Sequence, residues 1–184
     1  MTPSTSGGAA KLGYRVANGL LFYLNWFICL EGVISGRPFL GVISSVVILC
    51  IHFFIVKQRL QDFILVATLI FFGLLVDTTL MNNGVLQFAS PNKFFVSLAP
   101  IWVLSLHAIF GTTINHSLAY LDRHWLMSAI FGAGGGGFSY FVGEKVGAVE
   151  FLLPTYESVA VIALVWMIYF PLIFRYRDWL EEKL

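Results

Sequence analysis

The stretch FILVATLIFFGLLVDTTLM occupies residues 63–81 and contains one ionisable side chain, Asp77. An α-helix rises about 1.5 Å per residue, so this stretch nearly covers the ~30 Å hydrocarbon layer of a bilayer. Five more apolar stretches of about 18 to 21 residues lie around it, at 16–35, 39–56, 98–118, 125–142 and 156–174. The pattern predicts an all-α, polytopic membrane protein with a bundle of six transmembrane helices.

The composition supports this class and excludes others. Of 184 residues, 58% are hydrophobic and 11% are charged, and the mean hydropathy of +0.83 is far from that of a water-soluble domain. The formal net charge of +1 offers no basic surface for nucleic acid. Both cysteines, Cys29 and Cys50, lie inside apolar stretches, where a thiol acts as a small hydrophobic group, so we expect no disulfide.

The distribution of charge predicts the topology. With six crossings, eight Lys and Arg residues lie on the side of both termini and three on the other side. Because cytoplasmic loops carry the excess of Lys and Arg, both termini are predicted to be cytoplasmic. The domains would be a flexible cytoplasmic tail over 1–15, a transmembrane domain over 16–174 and a cytoplasmic juxtamembrane segment over 175–184. Alternatively, the first stretch is a cleaved secretory signal, although Glu31 interrupts its apolar core.

Two carboxylates lie where a bilayer makes charge costly. Glu31 and Asp77 are predicted at a shared depth in the outer third of the membrane, and a charge there needs a partner. Arg37 and Lys145, on the adjacent joints, could reach both carboxylates and form an ion-pair layer. The alternative is a desolvated Asp77 that binds a cation or relays a proton.

The fourth stretch is the most polar of the six. At 100° per residue, Thr112, Asn115 and His116 share one helix face, whereas His107 projects roughly opposite to His116. Such a polar face either forms hydrogen bonds with neighbouring helices or contacts a ligand. The candidate ligand-binding residues are Asp77, Thr112, Asn115, His116, Ser139 and Tyr140.

Metal binding has little support in the sequence. His52, His116 and His124 belong to the predicted cytoplasmic half, with Asp122 nearby, but no pair has the spacing of ligands on one helix. We therefore predict no metal site and no cofactor.

The fifth stretch is rich in glycine, which weakens a helix by ~1 kcal/mol per residue relative to alanine. Gly135, Ser139, Gly143 and Gly147 recur at every fourth position and predict close approach of another helix. The predicted packing residues are Gly132, Gly135, Gly136, Ser139, Gly143 and Gly147. The alternative is a break at mid-membrane, with a cavity beside Tyr140.

Three segments together resemble the DUF2878 family of small bacterial inner-membrane proteins. They are Asp77 near the end of the third stretch, TTINHSLAYL at 112–121, and FGAGGGGFSY at 131–140 with its continuation to Val149. The resemblance covers nearly the whole chain. It implies a multi-pass protein of a bacterial inner membrane whose function is uncharacterised.

These features predict a protein that binds or transports a small or lipid-associated ligand in a polar pocket between spans three, four and five. No catalytic motif occurs in the chain. A lipid-modifying enzyme or its subunit, with His116 as general base, remains an alternative, as does a structural subunit of a larger complex. The expected partners are membrane lipid and either a second copy of the chain or a membrane-complex partner, without nucleic acid.

Overall fold

The computed structural model describes residues 5–90 and 96–184 and is all-helical apart from one small sheet. Each apolar stretch of the sequence contributes one helix. The elements are α1 (Thr5–Ile34), α2 (Phe39–Ile55), α3 (Arg59–Asn82), β1 (Leu86–Phe88), α4 (Ile101–Thr113), α5 (Trp125–Lys145), β2 (Val149–Phe151) and α6 (Thr155–Lys183).

Three helices, or parts of them, are long and apolar enough to cross a membrane: Leu12–Ile34 of α1, all of α3 and all of α6. Helices α2 and α4 are apolar but shorter. Large apolar side chains cover the outside of the bundle, and Phe54 reaches 82% exposure. An apolar outer surface of this extent is typical of a surface in contact with lipid or another protein.

The first and last helices extend beyond the apolar stretches 16–35 and 156–174. Helix α1 begins at Thr5, inside the segment predicted to be a flexible tail, and residues 1–4 of that tail lie outside the described residues. Helix α6 continues through Pro171 to Lys183, so it includes almost all of the predicted juxtamembrane segment. Hydropathy identifies the apolar part of a helix, which lipid can surround. It does not identify the ends of the helix, because a helix can continue into polar sequence.

Helix α4 is shorter than the predicted stretch 98–118. Its 13 residues rise about 20 Å, which is less than the hydrocarbon thickness. After Thr113 the chain forms turns in which His116 and Leu118 donate backbone hydrogen bonds to the Thr113 carbonyl. These turns carry Asn115 and His116 out of the helix, so the face that they were predicted to share with Thr112 does not form.

The antiparallel sheet was not predicted. Leu86 pairs with Phe151 and Phe88 pairs with Val149, which joins the α3–α4 connection to the α5–α6 connection at one end of the bundle. Each strand has three residues, too few for an alternating pattern to be distinguished in an apolar sequence.

Helix α5 packs mainly against α6, and α3 packs mainly against α4. A Cβ at Gly132 or Gly136 would overlap Trp166 of α6, so these two glycines allow the close approach. Gly135 has open space around it, and Gly147 follows the helix in a turn with φ +82°. Gly132 and Gly136, two of the six predicted packing residues, thus make the contact with α6, whereas Gly135 of the predicted four-residue stripe does not. Helix α5 is continuous, without the alternative break at mid-membrane.

Candidate functional site

A cavity of about 160 Å³ lies between α1, α4, α5 and α6. Its lining is mostly aromatic and aliphatic, and Phe88 and Val149 of the sheet close one end. Gly135 and Ser139 line its α5 wall, where the absence of bulky side chains leaves space. The cavity is partly open, because Gly135 and Phe131 on this wall are exposed. An engineered cavity of about 150 Å³ in another protein holds benzene, so this one has room for a ring-sized apolar group.

A buried carboxylate adjoins the polar part of the cavity wall. The His107 Nε2 atom lies 2.8 Å from Asp77 Oδ2, and the Tyr140 hydroxyl donates to Asp77 Oδ1. Asp77 is completely buried, and both donors line the cavity. Three helices supply this cluster: α3 the carboxylate, α4 the imidazole and α5 the phenol. We call Asp77, His107 and Tyr140 the Asp77 cluster.

The His107 ring is fixed on both faces. Trp166 stacks on it with a centroid distance of 5.9 Å and an interplanar angle of 7°. On α3, a Cβ at Gly73 would overlap the ring, so only glycine leaves room for it there. Among the described residues, His107 Nδ1 and Trp166 Nε1 have no hydrogen-bond partner. A ligand with one polar group could bond to such an atom, because buried polar atoms are rarely left unpaired.

A second buried carboxylate lies at the other end of α3. Asp62 Oδ2 is 3.0 Å from His52 Nε2 and 2.9 Å from His116 Nε2, while Asn115 Nδ2 donates to Asp62 Oδ1 at 2.6 Å. The Tyr14 hydroxyl lies 2.8 Å from His52 Nδ1. We call these five residues the Asp62 cluster. The side chains of Asp62 and His52 are almost fully buried, whereas that of His116 is 20% exposed.

The Asp62 cluster contains three side chains of types that bind metal ions. The ligand atoms of His52, Asp62 and His116 all lie within 4.8 Å of one another. They come from the end of α2, the start of α3 and the turns after α4. Ligand spacing along one helix, on which the prediction of no metal site depended, cannot reveal a combination that comes from three segments.

The structure does not bring the predicted ion-pair layer together. Asp77 is bonded to His107 and Tyr140, and Lys145 Nζ lies 2.9 Å from Glu144 Oε2. Glu31 and Arg37 are exposed. Hydrogen bonds from His107 and Tyr140 to the buried Asp77 replace the predicted pairing with Arg37 or Lys145.

The six candidate ligand residues are distributed over three places. Asp77 and Tyr140 meet in the Asp77 cluster, and Ser139 lines the cavity while donating to the Gly136 carbonyl. Asn115 and His116 belong to the Asp62 cluster. Thr112 accepts a hydrogen bond from Asn18 at 3.1 Å, and this bond links α4 to α1.

Sequence reasoning missed Asp62, His52 and Tyr14 as site residues. Asp62 lies just before the apolar stretch 63–81, in the first turn of α3, where the helix dipole favours a carboxylate. Apart from the thiol of Cys50, His52 is the one ionisable residue of its apolar stretch, and this isolation was the one available signal.

No curated protein and no solved structure matches the chain. One family model does match it, over residues 15–172, and the family is described as a protein of unknown function. This match includes the Asp77 cluster, every residue of the cavity lining and the Asp62 cluster except Tyr14. The chain therefore belongs to the DUF2878 family, as its sequence motifs predicted.

Proposed function

We propose that this protein binds a small, largely apolar molecule dissolved in the lipid of a bacterial inner membrane. In this proposal all six helices lie in the membrane, with both termini in the cytoplasm. The observation that carries the proposal is a partly open apolar cavity, with the Asp77 cluster at its wall. Such a combination of apolar lining and a few polar groups is typical of small-molecule sites.

The height of the opening supports access from lipid. Gly135 lies midway along α5, and Phe22, on the α1 wall, lies midway along the apolar part of α1. In a bundle that spans the bilayer, an opening at this height faces hydrocarbon and not water. A ligand would therefore enter sideways, with its apolar part among the aromatic side chains and a hydroxyl or carbonyl near His107 and Tyr140.

Two adjacent glycines offer a matched test. A Cβ at Gly134 or Gly135 meets no atom within 4 Å, so we expect leucine at either position to preserve the helix packing. Only Gly135 lines the cavity. Organic extracts of the purified wild-type protein, Gly135→Leu and Gly134→Leu would be compared by mass spectrometry. We expect a small molecule that accompanies the wild-type protein and Gly134→Leu and is lost from Gly135→Leu. Identical extracts from all three proteins would contradict the proposal.

A second candidate function is proton transfer to or from the bound molecule, as in a lipid-modifying enzyme. The observation that favours it is the bond between Asp77 and His107 Nε2, which leaves Nδ1 without a partner among the described residues. A carboxylate that orients an imidazole in this way is a common arrangement of a general base. Incubation with membrane lipids, followed by mass spectrometry, should then reveal a product that His107→Gln does not form.

A further inference from the structure

We propose that His52, Asp62 and His116 bind one divalent first-row transition-metal ion, such as zinc. The inference is independent of the proposed cavity function, because the site lies at the opposite end of α3 from Asp77. Two imidazoles and one carboxylate are the ligands of several zinc enzymes and of the non-haem iron oxygenases.

The distances between the ligand atoms fit a single ion. Both Nε2 atoms lie 2.9–3.0 Å from the same Asp62 oxygen. Ligands about 2.0 Å from a tetrahedral zinc ion are separated by about 3.3 Å. These two separations would lengthen by a few tenths of an ångström around an ion, and the two Nε2 atoms, which lie within 4.8 Å of each other, would complete its set of protein ligands. The histidine rings already meet at 75°, with their centroids 5.3 Å apart.

Charge also favours a cation at this place. The Asp62 carboxylate is buried, and its hydrogen-bond partners among the described residues are His52, His116 and Asn115. None of these carries the fixed positive charge of a lysine or arginine. A buried carboxylate is costly without a compensating charge, and a divalent ion would supply one.

Two further residues, Tyr14 and Asn115, lie where they would hydrogen-bond to the metal ligands and fix their orientation. Ligating histidines commonly donate their second ring N–H to an oxygen, and ligating carboxylates are themselves hydrogen-bonded. Tyr14 is positioned to accept from His52 Nδ1–H once Nε2 binds the ion, and Asn115 holds Asp62 through Oδ1. Tyr14 and Asn115 are thus positioning residues.

The partly exposed His116 gives the ion a route from solvent at this end of the bundle. Three protein ligands also leave at least one coordination position free for water or another small ligand. Such an open position distinguishes catalytic metal sites from closed structural ones.

The test uses the full chain in detergent, purified without a histidine tag, stripped with a chelator and titrated with Co²⁺ and Zn²⁺. We expect one ion per chain and a visible Co²⁺ absorption band that Zn²⁺ removes. Asp62→Asn and His116→Ala should abolish the band. His124→Ala, which removes an exposed histidine outside the cluster, should leave it unchanged.

Tyr14→Phe keeps the ring and provides a second measurement even if Asp62→Asn fails to fold. Loss of an outer support typically weakens metal binding by about 10–100-fold, and we expect a fall in that range. Absence of Co²⁺ and Zn²⁺ binding by the folded wild-type protein would overturn the inference. So would binding that His116→Ala and Tyr14→Phe leave at full strength.

Discussion

Asp62 and Asp77 are the two buried carboxylates of α3, and each is hydrogen-bonded to a different histidine from the α4 segment. Their separation of fifteen positions corresponds to about 22 Å along the helix. His116 reaches the carboxylate at the start of α3, and His107 reaches the one near its end. The two polar clusters are therefore separate sites toward opposite ends of α3, and each can be tested without removing the other.

The topology can be decided by reporters at the two termini. Six crossings place both ends on the same side of the membrane, whereas crossing by only the three longest apolar helices would place them on opposite sides. We expect N-terminal and C-terminal fusions to report cytoplasmic locations, because Lys and Arg are concentrated on that side. Opposite locations would refute the six-helix arrangement.

Loss of the Tyr140 hydroxyl should destabilise the protein. Tyr140→Phe leaves Asp77 Oδ1 without its described donor in a fully buried place. We expect the free energy of unfolding to fall by about 1–3 kcal/mol. Denaturation in mixed micelles would measure it, with Tyr156→Phe as the control because that hydroxyl is exposed. Equal stability of the two variants would mean that the Asp77 cluster contributes little.

Alanine should have opposite effects at two nearby glycines of α5. Gly136→Ala places a methyl group against Trp166 and should destabilise the helix pair by about 1–3 kcal/mol. Gly134→Ala meets open space and should stabilise the helix by about 1 kcal/mol. The two melting temperatures, measured in one detergent, give the comparison. A stabilising effect at both positions would contradict the assigned packing face.

Asn18 should contribute to the attachment of α1 to α4. Its Nδ2 atom donates to Thr112 Oγ1, and its Oδ1 atom accepts from Ser117 Oγ at 2.8 Å. Hydrogen bonds between membrane helices contribute about 0.6–1.7 kcal/mol, so Asn18→Ala should lower the free energy of unfolding by about that amount. Asn83→Ala, at an exposed amide, is the control. Equal values for both variants would show that this attachment is not stabilising.

Much of the fold could be predicted because hydropathy and turn residues are local signals. The six apolar stretches correspond to six helices, and Gly36 and Gly84, in the joints between stretches, have the positive φ that glycine adopts readily. The length of α4 could not be predicted, since neither glycine nor proline marks the turns after Thr113.

The candidate site was predictable only in part. Asp77 and Tyr140 were identified as buried polar residues, and they do meet. The separation of His107 from His116 followed from helical geometry, and these residues contact different carboxylates. The grouping of Asp77 with Asn115 and His116 was wrong, because sequence position gave no measure of which helix ends lie together.

The sequence by itself determined that the chain forms long apolar helices, that some carboxylates would be buried, and that it belongs to its family. These properties depend on residues close together in the chain. Only the tertiary structure decided that His52, Asp62 and His116 converge from three segments, and that the cavity lies beside an unbroken α5. Such arrangements depend on how separate helices pack, and the fit of Gly136 against Trp166 is set by three-dimensional contact.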